Sequence, residues 1–252
     1  MDTARGATTS LDSEEVASLP FKVTDSATVT LSVKKAENSS IEVGYKSPDG
    51  NRPVAYSNTL FVWAGGPNIP WNEKPVANAA VEQGDTIIPG KYDPEKYVVG
   101  YSVGPSGNFG SKVTYPNVCA TAAIPADRNL DKVTYTSPNL GITSVQTNAI
   151  SFTYVFPKGF NPQRSRSWIG LWEGQVNPYG STSTPHTAPI DMSTSSGDSP
   201  MTDLKMIAPK KTYTAALFTS GYTNDPTKLN LTMIASVIVF NTLEKIAAPL
   251  SG

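Results

Sequence analysis

The stretch "RSRSWIGLWEG", Arg164–Gly174, sets two tryptophans four residues apart around an Ile-Gly-Leu centre. In a β-strand, successive side chains alternate between faces. Trp168, Gly170 and Trp172 then point one way, and Ile169 and Leu171 the other. An earlier version of the stretch lies 109 positions upstream. Residues 41–68 fall on residues 150–177 without a gap, and eight of those 28 positions are identical. They are Ile41/Ile150, Tyr45/Tyr154, Pro48/Pro157, Gly50/Gly159, Pro53/Pro162, Trp63/Trp172, Gly65/Gly174 and Asn68/Asn177. After a change of length the parallel resumes, with "KYVVGYSVG" (Lys96–Gly104) matching "TYTAALFTSG" (Thr212–Gly221) and "VCATAAIP" matching "MIASVIVF". A repeat of this length means one structural unit used twice.

Each copy reads as strands. In "AISFTYVF" (Ala149–Phe156), Ile150, Phe152, Tyr154 and Phe156 alternate with smaller or polar neighbours, and "ATVTLSV" (Ala27–Val33) does the same. Prolines (21) and glycines (19) punctuate the chain often enough to leave little room for helices. Only "DSEEVASL" near the start and "NTLEKIAAPL" at the end have a helical look. A copy of about 110 residues with some seven short strands has the size of an immunoglobulin-like sandwich. The expected fold is all-β, two tandem immunoglobulin-like β-sandwiches arising from an internal duplication. Residues 1–20 are expected to form a flexible polar arm, 21–127 the first repeat and 128–252 the second, with the boundary in "PADRNLDK". Trp172, shared by both copies, is read as sandwich core. Trp168, which stands opposite Thr59, is not required by the architecture and is read as a candidate ligand contact.

The second copy resembles a known pattern. "ISFTYVFPKGFNPQRSRSWIGLWEG", followed by "YTAALFTSGY" and "IASVIVF", is similar to the SKICH-type domain and to the β-sandwich that precedes the catalytic domain of purple acid phosphatases. The matching centre is Trp168-Ile169-Gly170-Leu171-Trp172, and Ser167 stands where those families carry an aspartate. The resemblance implies an immunoglobulin-like fold and a docking or accessory role rather than a catalytic one.

Composition narrows the function classes. The net charge of −1 provides no basic field for nucleic acid or an anionic membrane. No run of apolar residues is long enough to span a bilayer as a helix. The first residues contain no apolar core of a secretory signal, and with a single cysteine, Cys119, a cytoplasmic location is expected. His186 is the one histidine and sits in a Ser/Thr/Pro-rich segment read as a surface loop, so no catalytic triad is indicated. One Cys and one His cannot build a multi-ligand zinc site. Asp191, Asp198 and Asp203 offer oxygen ligands of the kind calcium takes, but their spacing matches no EF-hand loop. "GPSGNFG" (Gly104–Gly110) lacks the Lys-Ser/Thr of a phosphate loop and reads as a hairpin. Cys119, in an apolar run, reads as core. No enzyme activity, cofactor or metal is expected.

Recognition is the expected trade. After its Trp strand each copy carries a loop rich in Gly, Pro, Asn and aromatics: "GGPNIPWNEKP" (Gly65–Pro75) and "GQVNPYGSTSTPH" (Gly174–His186). Asn68 and Asn177 are equivalent by the repeat, and Trp71 and Tyr179 lie one position apart in the alignment. An amide beside a rigid aromatic suits a glycan or a protein partner. The candidate ligand-binding residues are therefore Asn68, Trp71, Trp168, Asn177 and Tyr179. Arg164 and Arg166 are placed at a loop edge with Glu173 as an ion-pair partner. The alternative is a self-assembling structural protein, a homo-oligomer that uses the N-terminal arm and the sandwich edges.

Overall fold

A computed structural model describes residues 18–109, 112–205 and 207–244. The arm up to residue 17, most of the first helix-like patch and residues 245–252 lie outside the described residues. The regular structure of the described chain is nearly all strand. In order these are β1 (Phe21–Thr28), β2 (Thr30–Ala36), β3 (Ser40–Lys46), β4 (Thr59–Ala64), β5 (Ala77–Ala80) and β6 (Thr86–Pro89). Then come β7 (Tyr97–Ser102), β8 (Gly107–Phe109), β9 (Lys112–Thr114), β10 (Val118–Ile124), β11 (Thr134–Thr136) and β12 (Asn139–Val145). The last six are β13 (Ile150–Val155), β14 (Trp168–Glu173), β15 (His186–Pro189), β16 (Ser196–Met201), β17 (Thr212–Phe218) and β18 (Ile234–Thr242). Among the described residues one short α-helix, α1, spans Pro162–Ser165, and three single 3-10 turns lie at Leu130–Lys132, Pro178–Gly180 and Pro226–Lys228. "GPSGNFG" supplies β8 of the β8–β9 hairpin. Asn241 and Thr242, the start of the second helix-like patch, close β18.

The strands make two sandwiches. One packs the sheet β2-β3-β6 against β11-β10-β7-β4-β5, and the other packs β12-β13-β16 against β1-β18-β17-β14-β15. The first strand of each repeat has thus crossed to the other repeat. β1 pairs antiparallel with β18, from Phe21 opposite Thr242 to Thr28 opposite Ser236. β11 pairs with β10, Thr136 opposite Thr121. The links explain the crossing. One residue, Val29, joins β1 to β2, and Ser137-Pro138 joins β11 to β12. A hairpin needs at least two turn residues, and proline together with its predecessor favours extended backbone. Neither link can fold its strand back, so the strand runs on into the neighbour's sheet. At the crossing the Thr28 hydroxyl donates to the Pro138 carbonyl (2.6 Å), and the Val29 N–H donates to the Ala235 carbonyl (3.0 Å).

The N-terminal segment completes the second sandwich on both of its sheets. Ser18 bridges to Gln146 beyond β12, and the Leu243 N–H donates to the Pro20 carbonyl (2.8 Å). The expected division after residue 127 follows the duplication. The sheets group the chain differently, as a continuous segment 30–136 and a second body made from 18–28 and 139–244. A single apolar cluster runs through both, from Val29, Leu60 and Val62 to Ile169, Leu171 and Phe240.

Alternation along β14 is as the sequence indicates, but the faces are exchanged. Ile169 and Leu171 enter the sandwich core, whereas Trp168 and Trp172 lie on the outer face of the sheet. Trp63 does the same in the first repeat, beside Phe61, Ile69 and Tyr115. These tryptophans are buried because the loop after each strand folds back over them. The indole N–H of Trp63 donates to the Glu73 carbonyl and that of Trp172 to the Ser183 carbonyl, both at 3.1 Å. Each repeat therefore has a main core and a small outer core roofed by its aromatic loop.

Cys119 is fully buried, and desolvation pushes its thiol well above the usual range. A thiol reagent at neutral pH should leave the folded protein unmodified and titrate one thiol per chain after denaturation. Rapid labelling of the native protein would contradict this burial.

Candidate binding cleft between the modules

The turn before each Trp strand is built alike in the two repeats. In the first, the N–H groups of Tyr56, Ser57 and Asn58 donate to the carbonyls of Arg52, Val54 and Pro53. In the second, those of Ser165, Arg166 and Ser167 donate to Asn161, Gln163 and Pro162, the same positions shifted by 109. Ser57 and Arg166 share a left-handed backbone, with φ of 56° and 58°. The side chains on this common frame differ: Ala55 and Tyr56 in the first copy, Arg164 and Ser165 in the second.

The aromatic loops do not project from the sandwich ends. Each reaches across to the turn of the other repeat. Trp71 lies at Gly159, its indole N–H donating to the Lys158 carbonyl (3.0 Å), with its ring edge-on to Phe160 at 5.6 Å. Asn177 lies at Gly50, and Tyr179 stacks on Tyr56 with centroids 5.6 Å apart and planes 9° from parallel. Such reciprocal contacts relate the repeats by an approximate two-fold. Both turn glycines have positive φ, 95° at Gly50 and 82° at Gly159. A Cβ at Gly50 would stand 2.5 Å from the Asn177 amide, and one at Gly159 2.7 Å from the Trp71 indole nitrogen. Only glycine gives both the backbone and the space.

The five candidate residues are thus dispersed. Trp168 is fully buried, stacked on Phe218 at 3.9 Å, and its indole N–H donates to the Ser220 carbonyl (3.1 Å). It presents no face to a ligand, which corrects the reading from sequence; the outer core uses the ring that the architecture leaves unassigned. The Asn177 side chain accepts from the Tyr179 N–H (3.1 Å), a turn cap. The Tyr179 ring is half-buried and its hydroxyl is enclosed without a hydrogen-bond partner among the described residues; burial pushes that hydroxyl far above its ordinary range. Asn68 is exposed and borders a space of ≈ 260 Å³ with Thr121, Thr136 and Lys158. Its repeat mate Asn177 borders ≈ 380 Å³ with Ala27, Asp49 and Val237.

Trp71 alone of the five opens onto an aromatic cleft. A space of ≈ 380 Å³ runs between the modules, with Trp71, Asn72 and Tyr115 on one side and Phe160, Asn161, Arg164 and Ser165 on the other. Sequence reading placed Trp71 and Arg164 separately but missed Tyr115, Phe160 and Ser165, which the topology brings to them. The Asn161 side chain accepts from the Arg164 N–H (2.9 Å), which fixes the start of this wall. Glu173 is not the partner of the two arginines; it pairs with Lys211 at 2.8 Å on the surface, a contact of little energetic weight.

Two solved tandems resemble the chain. One is a two-domain fibronectin type III segment from chicken tenascin: 13% identity, covering 77% of this chain and 90% of that one, with a TM-score of 0.23. The other is the central fibronectin III array of RIM-binding protein: 10% identity, 88% and 71% covered, TM-score 0.22. No protein-family model and no curated protein matches the sequence. The sandwich architecture rests on the sheets described above.

Among the described residues no three His, Cys, Asp or Glu side chains gather as a metal site, so Asp191, Asp198 and Asp203 do not form one. His186 is the exposed first residue of β15 rather than part of a loop. No helix of the described residues is long and apolar enough to cross a membrane.

Proposed function

We propose that this chain is a non-catalytic recognition protein and that its partner, a glycan or a protein, binds in the inter-module cleft beside Trp71. One observation carries the reading. On one side of the approximate two-fold, Tyr56 fills the space against Tyr179; on the other, Ser165 holds the same backbone position and the space stays open. An open concave site with aromatic walls and a few polar groups is the usual form of a ligand site. The Trp-Ile-Gly-Leu-Trp resemblance to SKICH-type and phosphatase accessory sandwiches supports a docking role. The variant Ser165→Tyr transplants the closed side onto the open one. Glycan and protein arrays probed with wild type should show a partner that Ser165→Tyr loses, at unchanged thermal unfolding. Full retention of every captured partner by the variant would remove the cleft from the account.

A second reading, a self-assembling structural protein, is favoured by the N-terminal strand, which completes a sandwich whose other strands come from the far end of the chain. A second copy's β1 fits the same ladder. Light scattering on a sizing column decides it: a mass near 26.8 kDa at all concentrations excludes exchange between copies.

A further inference from the structure

The repeat carries its own reference for what enters the cleft. On the closed side a ring of the chain itself, Tyr56, lies flat against Tyr179, the loop aromatic of the other repeat, with centroids 5.6 Å apart. On the open side the turn keeps the same backbone hydrogen bonds, but Ser165 stands at the position of Tyr56 and supplies no ring. The aromatic side chains around that gap are fixed. Trp71 is held by its hydrogen bond to the Lys158 carbonyl (3.0 Å) and by the edge-on ring of Phe160. Phe160 packs on Phe156 at 4.4 Å, and Tyr115 stands edge-on to both Phe61 and Trp63, at 5.1 and 5.2 Å. Walls that are already immobile lose little freedom when a ring enters between them. Arg164, on the same wall, is already engaged within the chain.

We infer that the cleft takes the side chain of an exposed tyrosine on a protein partner, its ring in the place that Tyr56 fills across the approximate two-fold. This rests on the cleft being the recognition site, and it selects the protein over the glycan. The ring has to come from another molecule, because residues 1–17 and 245–252 contain no aromatic. Among the described residues the exposed tyrosine is Tyr135, whose hydroxyl already accepts from the Val33 N–H (3.2 Å), so a second copy is a poor donor. The space of ≈ 380 Å³ is larger than one phenol ring, which leaves room for the main chain on either side of it. Aromatic pairs gain more than the area they bury, and tyrosine is a common anchor in desolvated interface pockets. The amides of Asn72 and Asn161 line the same space and suit a phenol hydroxyl, a contact that phenylalanine lacks.

Titration of the full chain with N-acetyltyrosinamide, N-acetylphenylalaninamide, N-acetylleucinamide and glucose, read at the Trp71 indole in nitrogen–proton spectra, tests this. The tyrosine amide should bind at least about fivefold more tightly than the leucine amide or glucose, the weight of one aromatic pairing. It should bind at least about twofold more tightly than the phenylalanine amide. Overhauser contacts from its ring to Trp71 and Phe160 should place it in the wild-type cleft, independently of any variant. Ser165→Tyr should abolish the binding at an unchanged unfolding temperature. Leucine amide binding as tightly as tyrosine amide, or ring contacts away from Trp71 and Phe160, overturns the aromatic occupant. Phenylalanine amide binding as tightly as tyrosine amide overturns the choice of tyrosine. Glucose as the tightest probe at Trp71 overturns the protein partner in favour of a glycan. Absence of binding by all four probes, while Ser165→Tyr still loses the array partner, overturns the tyrosine and leaves the recognition reading standing. If Ser165→Tyr, folded as wild type, loses nothing in either experiment, both fall.

Discussion

A chain that begins at Val29 should fail to fold its second module. β1 is the edge strand of that module's five-stranded sheet, and its ladder with β18 runs the length of the strand. Its removal uncovers β18 and takes away the buried Leu19 and Phe21, whose ring lies edge-on to Phe240 at 6.4 Å. Full burial of a side chain such as Leu19 is worth about 1.5–3 kcal/mol, and the partly buried Phe21 adds less. The loss of the ladder adds to that, against a total stability of about 5–15 kcal/mol. Near-ultraviolet dichroism reads the outcome, because Trp168 and Trp172 report on the second module. We expect their signal to be lost at 25 °C and restored when a peptide of residues 18–29 is added in trans. A wild-type spectrum and unfolding temperature without β1 would show that the exchanged strand is dispensable. An uncovered β18 is also an unpaired edge, so the truncated chain should aggregate on concentration.

Trp168→Ala should be the most damaging single substitution, costing about 3–5 kcal/mol. The indole is fully buried, lies flat on Phe218 with planes 5° apart and donates to a backbone carbonyl. Alanine leaves a cavity in the roofed outer core and an acceptor without its donor. For a protein of this size the loss lowers the unfolding temperature by roughly 10 °C or more. Trp71→Ala, at a half-exposed ring, should cost clearly less. Denaturant titration distinguishes them. A Trp168→Ala protein of wild-type stability that has lost its partner would return this residue to the ligand-contact role.

Much of the architecture is readable from residue order, and particular elements show where that ends. The alternation in Ala149–Phe156 and the 109-residue shift disclose strands and a duplicated unit, because period-two burial is written in the side chains. Which face of β14 is the core is not written there. Both faces are apolar, since one meets the opposite sheet and the other meets a roof formed by residues after the strand. The destination of β1 is equally hidden, because a leading strand can pair with its own repeat or its neighbour with the same alternation. Only the one-residue link at Val29 hints at the crossing. Of the site, the aromatic loops were visible, but not their direction. Trp71 and Tyr179 turn toward turns of the other repeat that pairwise spacing does not connect. The alignment did hold the deciding contrast, Tyr56 against Ser165. It became informative once the backbone hydrogen bonds showed that the two residues occupy one position.

We propose that recognition occurs at the inter-module cleft beside Trp71, where Ser165 leaves open the space that Tyr56 fills across the approximate two-fold. Nitrogen–proton correlation spectra of uniformly labelled protein, titrated with the partner captured on the arrays, test it most directly. The account predicts shifts confined to the Trp71 indole, the Asn72 and Asn161 side-chain amides, and the backbone of Arg164 and Ser165. The Tyr56 and Tyr179 amides across the two-fold should stay still. Shifts centred on Tyr56 and Tyr179, or spread over the surface without preference for the cleft, would contradict it.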